Sequence, residues 1–261
     1  MEFNDKICTV SIIGSGNVAT GIGNALFSVG TEIVNIYSRN RENAQALANK
    51  VNAVAISNLS ELENNTDLYI IAVSDDSISS ISDQIKNFDG IVVHTSGAKP
   101  LSVLDNQLRY GVFYPLQSMT IKRIPKFDNI PICIEGSDTA TSNQLKCLAE
   151  KISNNVVNLE SDQRQYLHMT AVIVNNFSNL LYDMAHELLE EKGIDFSLLL
   201  PLIMETAEKV HHIKPSESQT GPAKRNDTQT IQKHLSLLEN NPELKKVYTL
   251  LSEHLIKKYH D

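Results

Sequence analysis

Two stretches of this chain combine residue types suited to holding a phosphorylated ligand and to moving a proton. The first is Gly14-Ser15-Gly16-Asn17-Val18-Ala19, which follows the apolar run Ile7 to Ile13. Its G-x-G-x-x-A spacing has a mechanical reading. Gly14 permits a tight turn, Gly16 lets backbone approach a pyrophosphate, and Ala19 is small enough for a helix to pack on the preceding strand. The helix that follows would turn its free N–H groups and positive end toward the phosphates. Gly14, Ser15, Gly16, Asn17 and Val18 are therefore candidate ligands of a dinucleotide. The second stretch, His94-Thr95-Ser96-Gly97, ends another apolar run and sets a histidine and two hydroxyls beside a glycine. His94 could give or take a proton there, Ser96 could hydrogen-bond a carbonyl or imine, and Thr95 would line the cofactor pocket. A hydrogen-bonded loop that only shapes the pocket is the alternative.

Other polar residues fall where they could join that chemistry. Tyr37-Ser38-Arg39-Asn40-Arg41 ends the second apolar run with no acid before Glu42. An acidic residue at this place would bind the 2′-hydroxyl of NAD, whereas Ser38 and Arg39 suit the 2′-phosphate of NADP. Val73 and Ser74 end a further run and should pass the cofactor's ribose and phosphates, with Asp75 or Asp76 either capping the next helix or touching ligand. Gln117 and Ser118 follow Tyr114-Pro115-Leu116 and read as orienting groups. His168 and Asn176 lie eight residues apart, just over two helical turns, and so share roughly one side of a helix, with Asn175 close by. They either face a pocket or satisfy one another. Arg225, in Thr220-Gly-Pro-Ala-Lys-Arg-Asn-Asp227, either clamps a substrate carboxylate or phosphate or sits in a plain surface loop.

These groups need a frame, and the hydrophobic pattern supplies one. Strands are expected over 7–13, 31–37, 51–56, 67–73, 90–94, 111–116, 130–135 and 155–159. Helices are expected from the opening motif at 14–19 to about Val29 and over 41–50, 77–85 and 139–152. That alternation specifies a doubly wound parallel sheet. From Ser161 the character changes. A long amphipathic helix runs to Lys192 and stops at Gly193, a second spans 195–213, and a polar loop covers 214–226. Asp227 and Pro242 open two more helices. The fold class is α/β: an N-terminal doubly wound Rossmann domain over 1–158, followed by an all-α C-terminal domain over 159–261. The long helix carries Val172, Val174, Phe177, Leu180, Leu181 and Met184 on more than one face. A second subunit would cover them, so a homodimer through the C-terminal helices is expected.

Composition narrows the partners. The chain has 261 residues, 41% of them hydrophobic and 21% charged, as in ordinary globular proteins. Its net charge of −8, from 31 acidic and 23 basic residues, speaks against nucleic acid or an anionic membrane. Cys8, Cys133 and Cys147 lack CxxC spacing and read as buried thiols in a reducing compartment, with no metal site. The short polar stretch Met1 to Lys6 does not resemble a signal peptide, and no apolar run is long enough to span a bilayer. A cytoplasmic protein is expected.

Taken together, the motifs resemble the bacterial Rossmann-like oxidoreductases that carry a C-terminal domain of unknown function. These are relatives of NADP reductases that use a deazaflavin coenzyme. They are more distantly similar to pyrroline-5-carboxylate reductase, ketopantoate reductase and 3-hydroxyisobutyrate dehydrogenase. The resemblance rests on GSGNVA at 14–19, YSR at 37–39, AVSDDSI at 72–78, HTSGA at 94–98 and FYPLQS at 113–118. LHMTAVIVNNF at 167–177 and TGPAKRND at 220–227 complete it. It implies an NADP-binding Rossmann domain and a helical, dimer-forming C-terminal domain, and names no substrate. Two departures stand out. Lys-Arg-Asn fills the 220–227 loop where a small residue beside the Arg is more usual. His168 stands where hydroxyisobutyrate-type dehydrogenases carry a catalytic lysine, which counts against their mechanism here.

The leading expectation is an NADP(H)-dependent oxidoreductase that moves a hydride to or from a small carbonyl, imine or hydroxyacid substrate at the domain interface. The substrate would lie among His94, Ser96, Gln117, Asn176 and Arg225, with His94 or His168 as proton donor. The rival class is a non-catalytic NADP-binding sensor or scaffold. Hydride transfer from a deazaflavin is a third reading.

Overall fold

The structure, a computed structural model, describes residues 6–85 and 88–260. Most of the polar start read against a signal peptide (residues 1–5) lies outside the described residues. The chain divides into two compact units, Met1–Asn176 and Phe177–Asp261.

The first unit is built on an eight-stranded sheet. Its strands are β1 (Thr9–Ile13), β2 (Glu32–Tyr37), β3 (Val54–Ile56), β4 (Leu68–Ile71), β5 (Ile91–His94), β6 (Tyr110–Pro115), β7 (Ile132–Gly136) and β8 (Val156–Asn158). They lie in the order β3-β2-β1-β4-β5-β6-β7-β8. The first six are parallel, β7 runs antiparallel to β6, and β8 is parallel to β7. The order 3-2-1-4-5-6 is that of a Rossmann sheet, with its switch point between β1 and β4. Residues 68–71 and 91–94 are buried throughout, as central parallel strands covered on both faces require.

Helices close both faces. On one, Ile22 and Leu26 of α1 (Asn17–Ser28), Leu47 and Val51 of α2 (Arg41–Val51) and Leu145 and Leu148 of α4 (Thr139–Ala149) pack against Ile12, Ile36, Ile70 and Phe113. On the other, Ile78 and Ile81 of α3 (Ile78–Gln84) join Leu59 and Leu104 over Ile13, Tyr69 and Val92. Local signals set the ends. Asn40 accepts from the N–H groups of Glu42 and Asn43 to cap α2, and Asp138 accepts from Thr141 N–H to cap α4. Only Cys133 of the three thiols is buried. Cys8 and Cys147 are exposed, which corrects the expectation for those two.

The sequence places the boundary near residue 159, whereas the sheet unit extends through Asn176. α5 (Ser161–Ala171) belongs to it because Leu167 packs beside Val112, Tyr114 and Cys133, and because Arg164 is fully buried. The helix expected to run unbroken from 161 to 192 instead passes through a π-helical turn, Val172–Phe177. Such turns recur at functional sites, and this one holds both Asn175 and Asn176.

The second unit is helical: α6 (Ser178–Glu191), α7 (Leu200–His212), the short α8 (Pro215–Ser218), α9 (Thr228–Leu237) and α10 (Pro242–His260). α6 stops before Gly193, whose φ of 64° suits glycine. Asp227 caps α9 through Thr230 N–H at 3.0 Å. His234 and Tyr248 join α9 to α10 through a 2.7 Å hydrogen bond. Neither α6 nor α7 contains a buried residue. Among the described residues no helix is long and apolar enough to cross a membrane.

Candidate functional site

The carboxyl ends of β1, β2, β4, β5 and β6 open onto one cavity of about 950 Å³. Its position at the switch point of the sheet is where a doubly wound fold binds ligand. At the centre stands Gly14, with φ of 131° and an N–H that donates to Tyr37 O at 2.8 Å. A Cβ at Gly14 would fall 2.1 Å from the carbonyl oxygen of Ala72, so β1 can turn beside β4 only with glycine here. Gly16 then leads into α1, whose first turn has no side-chain cap. The amides there are thus left for a ligand. Asn17 Oδ1 accepts from Ile121 N–H at 3.1 Å, tying a surface loop to the mouth of the helix.

Every residue singled out as a cofactor ligand lines this cavity: Gly14, Ser15, Gly16, Asn17, Val18, Ser38, Arg39, Val73, Ser74 and Thr95. At one end Ser15 Oγ donates to Ser38 Oγ at 2.9 Å, and Arg39 is exposed beside them. No acidic side chain follows β2 until Glu42, in the first turn of α2. The residues present therefore fit a dinucleotide. There is an uncapped helix start for the pyrophosphate, open space at Gly16, and a hydroxyl pair with a guanidinium for a phosphate at the ribose.

At the other end lie Ser96, Gly97, Tyr114, Gln117 and His168. Ser96 Oγ accepts from the N–H groups of Ala98 and Lys99 at 3.1 and 3.0 Å, which leaves its O–H to donate. Gln117 Oε1 accepts from Ser118 N–H, leaving its amide NH₂. Tyr114 and His168 share a 2.9 Å hydrogen bond between Oη and Nδ1, with rings edge to face. Gly97 makes room for that pair. A Cβ on it would sit 2.6 Å from His168 Nδ1 and 2.8 Å from Tyr114 Cζ.

His94, expected as a candidate proton donor, does not line the cavity with them. It is 0% exposed and lies outside the cavity lining. Its Nδ1 accepts from Ser96 N–H at 3.1 Å, so its Nε2 carries the hydrogen and faces Pro100 O at 3.3 Å. Burial, reinforced by the charge on Arg164, pulls its pKa down to about 4. With both nitrogens engaged, the ring holds the 94–100 loop together.

Arg164 anchors this end. Its guanidinium donates to Glu135 Oε2, to Lys99 O at 2.7 Å and to Ser161 Oγ at 3.2 Å. Ser161 in turn donates from N and Oγ to Glu135 and accepts from Leu101 N–H at 2.8 Å. α5, β7 and the loop after β5 are thereby locked into the arrangement that presents His168 to Tyr114.

Asn176 lines a second, adjoining cavity of about 350 Å³ with Asn175, Ser118, Gln117, His168 and Tyr114. Thus Gln117 and His168 meet the dinucleotide cavity directly, and Asn176 meets it through its neighbour. Arg225 belongs to the helical unit, exposed in a turn closed by Arg225 N–H to Pro222 O at 3.1 Å and Asp227 N–H to Pro222 O at 2.9 Å. Tyr114, Arg164 and Glu135 were not singled out from sequence. Among the described residues no group of three or more His, Cys, Asp or Glu could hold a metal ion.

Sheet order and site together define a Rossmann-type dinucleotide-binding protein. Residues 9–96 match the NADP oxidoreductases described as coenzyme F420-dependent, and residues 130–255 match a domain of unknown function, DUF2520. The chain belongs to the NADP oxidoreductase family that joins these two domains. BF3122 of Bacteroides fragilis, provisionally named an NADP oxidoreductase, is 38% identical, with 97% of this chain and 99% of that chain covered at a TM-score of 0.92. TM1727 of Thermotoga maritima shares the fold at 23% identity, 94% and 98% coverage and a TM-score of 0.76. So does an imine reductase of Streptomyces aurantiacus, at 13% identity, 97% and 93% coverage and a TM-score of 0.67. No curated protein matches the sequence.

Proposed function

We propose that this protein is an NADP(H)-dependent oxidoreductase acting on a small carbonyl, imine or hydroxyacid substrate. The observation that carries the reading is the single cavity that begins at Ser38 and Arg39, passes the uncapped start of α1 and ends at Ser96, Gly97, Tyr114 and His168. A dinucleotide laid along it with its pyrophosphate on Gly14–Val18 would bring its nicotinamide to the polar end. When bound, the cofactor supplies or accepts the hydride, and the protein's part is to orient, exclude water and move a proton. A sensor would have no use for the hydroxyl, phenol and imidazole gathered there.

Arg39 and the Ser15–Ser38 pair support NADP over NAD. Arg39→Ala is expected to weaken NADPH binding about tenfold, close to 1.4 kcal/mol, and to leave NADH binding unchanged. Fluorescence titration of wild type and variant with both cofactors measures this. Equal affinity of the wild type for NADPH and NADH would overturn the 2′-phosphate assignment.

We also propose that the protein is a homodimer through its C-terminal helices. Leu198 at 70%, Leu202 at 63% and Leu237 at 77% exposure, with no buried residue in α6 or α7, exceed the isolated apolar residues of an ordinary surface. Light scattering during gel filtration should give twice the chain's 29.0 kDa, and Leu202→Glu should shift the species toward the monomer. A monomeric wild type at micromolar concentration would refute the dimer.

A further inference from the structure

Tyr114, Gln117 and His168 line both the dinucleotide cavity and the smaller one beside it, so they stand where a hydride donor and its acceptor would meet. Resting on the oxidoreductase reading above, we infer that Tyr114 is the acid that protonates the reduced substrate, that His168 resupplies it, and that the adjoining cavity takes an uncharged substrate. The Tyr114 phenol lies 2.9 Å from His168 Nδ1. That alignment is imposed, because Gly97 leaves no spare space beside either ring and the Arg164 anchor fixes α5. Burial pushes the Tyr114 phenol up to about 12, so it keeps a proton to give at neutral pH. His94, the other candidate, is sealed into its loop.

The adjoining cavity argues for the substrate. Apart from His168, its polar lining consists of amides and hydroxyls, among them Gln117, Ser118, Asn175 and Asn176, with no Asp, Glu, Lys or Arg. Such a lining satisfies a neutral carbonyl or imine compound, while a carboxylate placed there would find no lysine or arginine.

A dinucleotide held by Gly14–Val18, Ser38 and Arg39 would supply a hydride to the carbon of a C=O or C=N group and would itself be oxidised. The π-electron pair moves to oxygen or nitrogen, which takes the Tyr114 Oη proton. As that O–H bond breaks, a proton passes from His168 Nδ1 to Oη while His168 Nε2 takes one from solvent. The phenol is restored without a free tyrosinate, and its hydrogen now points to His168 Nδ1. His168 is half-buried, so solvent can reach it. Tyr114 is thus the catalytic residue, and His168 acts through it.

The inference is tested on the full chain by ¹⁵N-histidine NMR with NADP⁺ and 2-pyrrolidinone, a small neutral lactam. His168→Gln assigns the signals. The lactam carbonyl should draw the Tyr114 O–H away from His168 and shift its ring nitrogens. Tyr114→Phe should abolish that shift while its NADP⁺ affinity stays within about twofold. Pyroglutamate, the same lactam bearing a carboxylate, should bind at least about tenfold more weakly. If NADP⁺ itself fails to bind, the oxidoreductase reading falls. If it binds and the lactam leaves His168 unmoved, or moves it equally in Tyr114→Phe, the acid assignment alone is overturned. Equal binding of pyroglutamate would overturn the uncharged-substrate assignment.

Discussion

Arg164→Met is expected to destabilise the sheet unit by about 3–5 kcal/mol, the cost of removing one partner of a buried ion pair. In a unit of this size that corresponds to a fall in thermal midpoint of roughly 6–20 °C. The side chain is 0% exposed, and its guanidinium holds Glu135, Lys99 O and Ser161 Oγ together. Methionine fills much of the same volume, so packing is largely retained and the loss reports the polar network. Glu135 would keep the Ser161 N–H and hydroxyl but lose its counter-charge. The Lys99 carbonyl would lose a charged donor, which is worth more than an ordinary hydrogen bond. Because that carbonyl and Leu101 N–H belong to the segment following Ser96 and Gly97, the loop should loosen together with α5. Denaturant unfolding measures the change. A loss under about 1 kcal/mol would mean that the network contributes little, as exposed pairs do.

This network also marks how far the sequence could be read. The parallel sheet was legible because each strand is an apolar run and each helix a periodic one. Even the antiparallel turn of β7 left the run at 130–135 recognisable as a strand. The dinucleotide end was legible because its residues are local: Gly14 to Ala19 is one turn, and Ser38-Arg39 is one strand end. Arg164 was not, since on a helix expected to be amphipathic an arginine reads as surface. Its partners lie 29 and 65 residues away. Tyr114 was hidden for the same reason, 54 residues from His168. One local signal could have pointed to the pair. Gly97 follows a strand end and precedes Ala98, where a positive φ is not needed, so a close approach was the remaining reason for a glycine. His94 misled in the opposite direction. A histidine at a strand's carboxyl end resembles an acid–base group, and only its hydrogen bonds to Ser96 and Pro100 show that it is spent on its own loop.

Gly16→Ala should separate folding from binding more sharply than any other single change. Gly16 has φ −77° and ψ −169°, a conformation open to alanine, and an added Cβ would meet no protein atom within 4 Å. Stability should therefore stay within about 1 kcal/mol of wild type, as for a glycine replaced at a compatible site. The space that the methyl group enters is the space the pyrophosphate needs if it is to rest on the amides that begin α1. NADPH affinity should fall at least about a hundredfold, or 2.8 kcal/mol. Gly14 makes the contrast: there a Cβ would strike the Ala72 carbonyl at 2.1 Å in a left-handed conformation, so the same substitution would damage the fold itself. The two glycines differ because one serves the protein's own backbone and the other serves a ligand. Thermal unfolding and isothermal titration with NADPH measure both halves of the prediction. A Gly16→Ala protein that folds normally and binds NADPH at wild-type affinity would remove the pyrophosphate from the start of α1, and with it the placement of the nicotinamide beside Tyr114 and His168.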